Sequence, residues 1–209
     1  MAYNLAGIAA LVLLLAVGSA YLVDNLNRAS RAPLPGLADG GAVELTMGRT
    51  DLTIPATWFR SDAIPQSGFT NQVDLQVRLA LTQGQPSFPV DVTLLPRSRV
   101  RPGSALLDGV YLHQFGDEML SGVPGLVGKP LLKADGPPGE SVWYDALSPD
   151  PFVAKCMAPL AEGVAARCLR TVYLGSGLAA VYGFEITALA DWRAFDTEME
   201  KWLAQIGAW

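Results

Sequence analysis

Val73–Thr82 reads VDLQVRLALT. Val73, Leu75, Val77, Leu79 and Leu81 alternate with Asp74, Gln76, Arg78, Ala80 and Thr82. Successive side chains of a strand point to opposite faces, so this period of two predicts a half-buried β-strand. Val90, Val92 and Leu94 continue the pattern beyond the Gly84–Pro89 loop, which predicts an antiparallel partner.

Working outward, Ala42–Met47 and Thr50–Pro55 flank Gly48-Arg49, a tight hairpin turn. Ser104–Phe115 has Leu106, Leu107, Val110 and Tyr111 at helical spacing, with Ser104 as the expected cap. Strand-like runs return at Leu126–Lys133 and Ser141–Leu147 around Gly136-Pro137-Pro138-Gly139. Phe152–Met157, Ala166–Leu174 and Leu178–Thr187 follow, the last two separated by Gly175-Ser176-Gly177. The chain closes with a predicted helix, Asp191–Ile206, capped by Asp191. Trp192, Phe195, Met199, Trp202, Leu203 and Ile206 share one face. Strands come in runs instead of alternating with helices. The expected class is therefore α+β, a mostly antiparallel sheet with two packed helices.

The domain so defined is 42–209. Before it, Leu5–Val23 is 19 residues without a charge. At about 1.5 Å per residue these span roughly 28 Å, near the hydrocarbon thickness of a bilayer. Residues 1–23 are expected to form a transmembrane anchor and the Pro- and Gly-rich 24–41 a linker. Gly18 and Ala20 fit a signal-peptide cleavage site, but no Lys or Arg precedes the apolar run, and a retained anchor is the preferred reading. Ala2, Ala6 and Ala10, like Ala16 and Ala20, sit at helix-packing spacing, which the abundance of alanine explains as well.

Two signals disagree about orientation. Arg28 and Arg31 follow the apolar run, which points the domain to the cytoplasm. Cys156 and Cys168, the only cysteines, fall in strands that read as a hairpin, where neighbouring Cα atoms come within disulfide reach. Disulfides persist in oxidising compartments; two free buried thiols are the common alternative, and two cysteines with one distant histidine make a poor metal site. The disulfide carries more weight, so the domain is expected to face the periplasm.

Charge excludes one class of partner. The chain carries −5; without Asp24, Arg28 and Arg31 it keeps 13 basic and 19 acidic side chains, a net −6. Nucleic-acid affinity comes from neutralising phosphates, so no nucleic acid is expected. Arg97, Arg99 and Arg101 alternate in LLPRSRVRPG. On an extended segment they would share one side and dock to anionic headgroups or an acidic partner; a solvated strand end is the plainer account.

Signatures of chemistry are weak. His113 is the only histidine and falls late in a predicted helix, an ordinary structural place. Gly139-Glu140-Ser141-Val142-Trp143 lacks the second glycine of a nucleophile elbow, and Ser176 between glycines suits a turn. No phosphate loop, dinucleotide fingerprint or zinc motif occurs, so no catalytic residue, cofactor or metal is assigned.

AARCLRTVYL (165–174), LAAVYGFEIT (178–187) and ADWRAFDTEMEKWLA (190–204), behind a single N-terminal span, resemble small membrane-anchored or exported proteins of alphaproteobacteria. The resemblance implies an inner-membrane protein facing the periplasm and no catalytic residues. The expected role is a non-enzymatic accessory or interaction domain, held in the bilayer through residues 5–23 and working with a membrane protein complex. Two other classes stay open. A periplasmic small-ligand module needs a closed apolar pocket of about 300–1,000 Å³. An enzyme with dispersed carboxylates or serines needs a polar cleft where they converge.

Overall fold

The computed structural model describes residues 41–60, 64–81, 86–132, 139–159, 161 and 163–209. The expected anchor, and the linker apart from Gly41, lie outside the described residues. Within them no helix is long and apolar enough to cross a membrane.

The first hairpin forms as its sequence predicts. β1 (Ala42–Met47) and β2 (Thr50–Pro55) pair antiparallel, and Gly48 at φ 65° supplies the left-handed turn residue. A two-residue strand, β3 (Gly68–Phe69), lies parallel to β1 on its other side. These three make a small sheet of order β2-β1-β3.

The larger sheet begins with β4 (Val73–Leu79), whose alternate residues Val73, Leu75, Val77 and Leu79 are all buried. It is completed by β5 (Phe88–Pro96), β6 (Val127–Pro130), β7 (Glu140–Tyr144), β8 (Val153–Met157), β9 (Arg167–Tyr173) and β10 (Leu178–Glu185). The order is β4-β5-β10-β9-β8-β7-β6, antiparallel throughout. Gly128 faces Trp143 across the β6–β7 pair, and a Cβ there would stand 2.7 Å from the indole, so only glycine admits that ring.

Two helices complete the α+β class: α1 (Gly103–Gly109) and α2 (Trp192–Gln205). The stripe predicted on the last helix is the core. Trp192, Phe195, Met199, Trp202 and Leu203 are buried, as is Ile206 just beyond it. Phe195 meets Phe184 at 4.6 Å, and Trp202 meets Trp58 at 4.8 Å. Leu45, Met47, Leu52 and Ile54 of the small sheet join the same cluster. The Thr53 amide donates to the Ile206 carbonyl at 3.1 Å, tying the end of α2 to β2. A second cluster of Leu107, Leu131, Val142 and Val153 packs on the opposite face of the large sheet.

Several expectations need correction. The strands form two sheets, not one, because β1 pairs with β2 on one side and β3 on the other while β4 starts the larger sheet. The helix expected over Ser104–Phe115 is one seven-residue segment followed by a 3-10 turn, Tyr111–Gln114. Gly109 and β-branched Val110 weaken the helix there, and Val110 leaves helical geometry at φ −135°. Pro102 occupies the cap position, so Ser104 does not cap it. Asp191 stands at the cap of α2 without a side-chain bond, because a 3-10 turn, Ile186–Asp191, runs directly into the helix. Pro96 ends β5, and Arg97–Arg99 is a 3-10 turn, so the arginine triplet is not extended.

Candidate functional site

β8 and β9 begin as the cysteine hairpin that the sequence predicts. Lys155 pairs with Leu169, Cys156 with Cys168, and Met157 with Arg167. Cys156 and Cys168 are buried and disulfide-bonded, with Cα atoms 3.9 Å apart. Above Lys155–Leu169 the two strands part. β9 continues to pair with β10 through Tyr173, but Arg170–Tyr173 has no strand partner on the β8 side among the described residues. Val153 and Ala154 stay paired with β7, and before them Pro149 and Pro151, which lack N–H groups, end the strand, so the ladder does not resume. Ser148 closes a turn there, its hydroxyl bonded to the Asp150 carbonyl and accepting from the Asp150 amide.

The gap is a cleft of about 230 Å³. Its walls are Pro102 and Ser104 at the start of α1, Asp150 and Pro151 before β8, and the four consecutive residues Arg170–Tyr173. Tyr182, Asp196 and Trp209 complete it. Tyr173 is held upright: its hydroxyl donates to the Val100 carbonyl at 3.0 Å, and the Arg97 guanidinium lies 4.0 Å over its ring.

Arg170 forms the floor. It is only 7% exposed, on the core face of β9. Asp196 of α2 binds it with both oxygens, at 2.8 Å to Nε and 2.5 Å to Nη2. Its Nη1 donates to the Val153 carbonyl at 3.2 Å, and its guanidinium lies 4.2 Å over the Phe152 ring. A buried cation needs such partners, since desolvation otherwise costs several kcal/mol per ion. The Val153 bond spans the fork at its closed end.

Tyr182 stands opposite Arg170 across the β9–β10 pair and is 1% exposed. Its ring packs edge-on against Phe195 at 5.7 Å. Its hydroxyl has no hydrogen-bond partner among the described residues. Burial pushes its pKa well above the tyrosine range, and nearby Asp196 adds to the shift. The hydroxyl is therefore neutral and can both donate and accept. Counting side-chain charges, Arg170 stands against Asp150 and Asp196, so the lining is net negative by one.

The sequence-assigned residues fall in different places. The cysteines hold the closed end of the fork. Arg97 supports the cleft through Tyr173, Arg99 donates to the Asn71 carbonyl at 3.3 Å, and Arg101 is exposed. They form no common row. His113 is exposed in its 3-10 turn. Ser176 is a turn residue whose hydroxyl donates to the Ala208 carbonyl at 2.6 Å. Among the described residues no three His, Cys, Asp or Glu side chains gather to hold a metal. Sequence reasoning missed Arg170, Tyr182 and Asp196. One signal was present: Arg170 occupies the buried phase of β9, between Cys168 and Val172.

No protein-family model matches the sequence, and no curated protein does. Two solved structures share the fold. One is an immunity protein of the Stenotrophomonas maltophilia type IV secretion system, at 14% identity and TM-score 0.53, covering 79% of this chain and 92% of that one. The other is the iron-regulated outer membrane lipoprotein FrpD of Neisseria meningitidis, at 9% identity and TM-score 0.51, covering 82% of this chain and 94% of that one. At these identities the likeness is one of fold.

Proposed function

We propose that this chain is an accessory domain of the bacterial cell envelope that acts by binding another protein, held to the inner membrane by residues 5–23 and facing the periplasm. The observation that carries the proposal is the opening of the large sheet between β8 and β9, which leaves one edge of a central strand without a strand partner, among the described residues, in a cleft of mixed polar and apolar lining. The cleft is lined by the charged Asp150, Arg170 and Asp196 and not by the closed apolar surface of a small-ligand site, and an open strand edge is a recurrent protein-binding element. The buried disulfide favours an oxidising compartment. The fold's occurrence in an immunity protein of a secretion system and in an outer membrane lipoprotein is in keeping with an envelope role.

Affinity capture from detergent-solubilised membranes tests the binding role. A partner should co-purify with the wild-type chain and be lost with Thr171→Trp, which fills the cleft, while the melting temperature stays the same. Proteins that co-purify equally with both chains would remove the cleft from the proposal. Protease added to spheroplasts tests orientation: the domain should be digested, and full protection would place it in the cytoplasm.

A further inference from the structure

We infer that the fork takes an extended segment of the partner protein, added as a strand along β9, with a lysine or arginine side chain beside Asp150 and Asp196. This rests on the interaction reading above and names the partner's chemistry.

Four consecutive residues, Arg170–Tyr173, line the cleft. Consecutive strand side chains alternate between faces, so a cleft on one face would meet only every second one. This cleft therefore runs along the edge of β9, in the plane of the sheet. Along such an edge, alternate residues present N–H and C=O outward. At about 3.3 Å per residue the open edge is roughly 13 Å long, room for three or four residues of a partner. The β10 side of the same residues is already paired, so β9 is rigid before the partner arrives.

Charge selects the side chain. Arg170 is matched by Asp196, while the Asp150 carboxylate has no partner among the described residues. The net charge of minus one disfavours an acidic segment and favours a basic one. Tyr182 adds an independent indication. Its ring is buried while its hydroxyl, which makes no hydrogen bond among the described residues, is offered to the cleft. Being neutral, it can donate to a backbone carbonyl of the incoming strand.

The test uses the full chain in detergent micelles and a display library of random twelve-residue peptides. Selected peptides should be enriched in lysine and arginine over aspartate and glutamate. A synthetic peptide from the pool should slow amide exchange at Thr171 and Tyr173, whose amides face the open edge because Arg170, Val172 and Leu174 are in the phase bonded to β10. Asp150→Lys should weaken it about tenfold or more, and Tyr182→Phe should weaken it severalfold without changing the basic preference. Peptides of no charge preference, binding that Asp150→Lys leaves unchanged, or protection on β3 instead of β9 would each overturn the inference. So would self-association of the chain through the fork in sedimentation. A captured partner indifferent to Asp150→Lys would leave the interaction role standing and remove strand addition; no partner and no peptide would remove both.

Discussion

Trp202→Ala probes whether α2 belongs to the core or waits for a partner. The indole is 8% exposed and lies 4.8 Å from Trp58, at an angle of 51°. A buried aromatic removes about 150–250 Å² from water, which at about 25 cal/mol per Å² is roughly 4–6 kcal/mol gross. The alanine Cβ stays and the site partly collapses, so the expected loss is about 3–5 kcal/mol. That is a large share of the about 5–15 kcal/mol that holds a domain together. Trp58 lies in the 3-10 turn Ala56–Trp58 after β2, so the pair joins α2 to the small sheet. Trp58→Ala should also destabilise. The double variant should cost less than the sum by about 0.5–1.5 kcal/mol, because the second truncation enters an opened cavity and the ring contact is lost once. Urea unfolding followed by far-UV circular dichroism measures all four corners of the cycle, and avoids the indole fluorescence that the substitutions remove. A loss below about 1 kcal/mol for Trp202→Ala, or costs additive within about 0.5 kcal/mol, would refute the packing argument.

Three further outcomes follow from the site. Replacing Cys156 and Cys168 with alanine should cost about 3 kcal/mol on the chain-entropy account, read as a shift in the urea midpoint; native protein should take up no alkylating reagent until it is reduced. Asp196→Ala strands the Arg170 guanidinium on the Val153 carbonyl; because Asp196 is 42% exposed and water can replace it, the loss should be about 1–3 kcal/mol, less than for a fully buried pair, and an unchanged midpoint would show the pair to be inert. Burial raises the Tyr182 pKa above its ordinary 10.0, so in alkali the unfolded chain releases that proton first. The stability from the neutral hydroxyl is whole below pH 10 and falls above it, by at most about 1.4 kcal/mol per pH unit; Tyr182→Phe should remove that part of the slope, and identical alkaline profiles for the two chains would contradict it.

Local periodicity was enough for most of the architecture. The alternation in Val73–Leu79 and the three-and-four spacing of Trp192, Phe195, Met199 and Trp202 are one-dimensional signals of which face is buried, and both faces are buried as predicted. The cysteine pairing was legible because a hairpin register is local. The division into two sheets was not, since it depends on which edge β1 offers to β3, a two-residue strand too short to carry a pattern of its own. The arginine triplet misled because alternation implies a common side only on an extended chain, and Pro96 ends the strand before it. The cleft was the least legible of all. Pro149 and Pro151 announce a break, but only the tertiary structure decides that it falls beside Arg170–Tyr173. Arg170 at a core phase was the visible oddity; its partner Asp196 lies 26 residues on, on a separate helix, where only packing brings the two charges together.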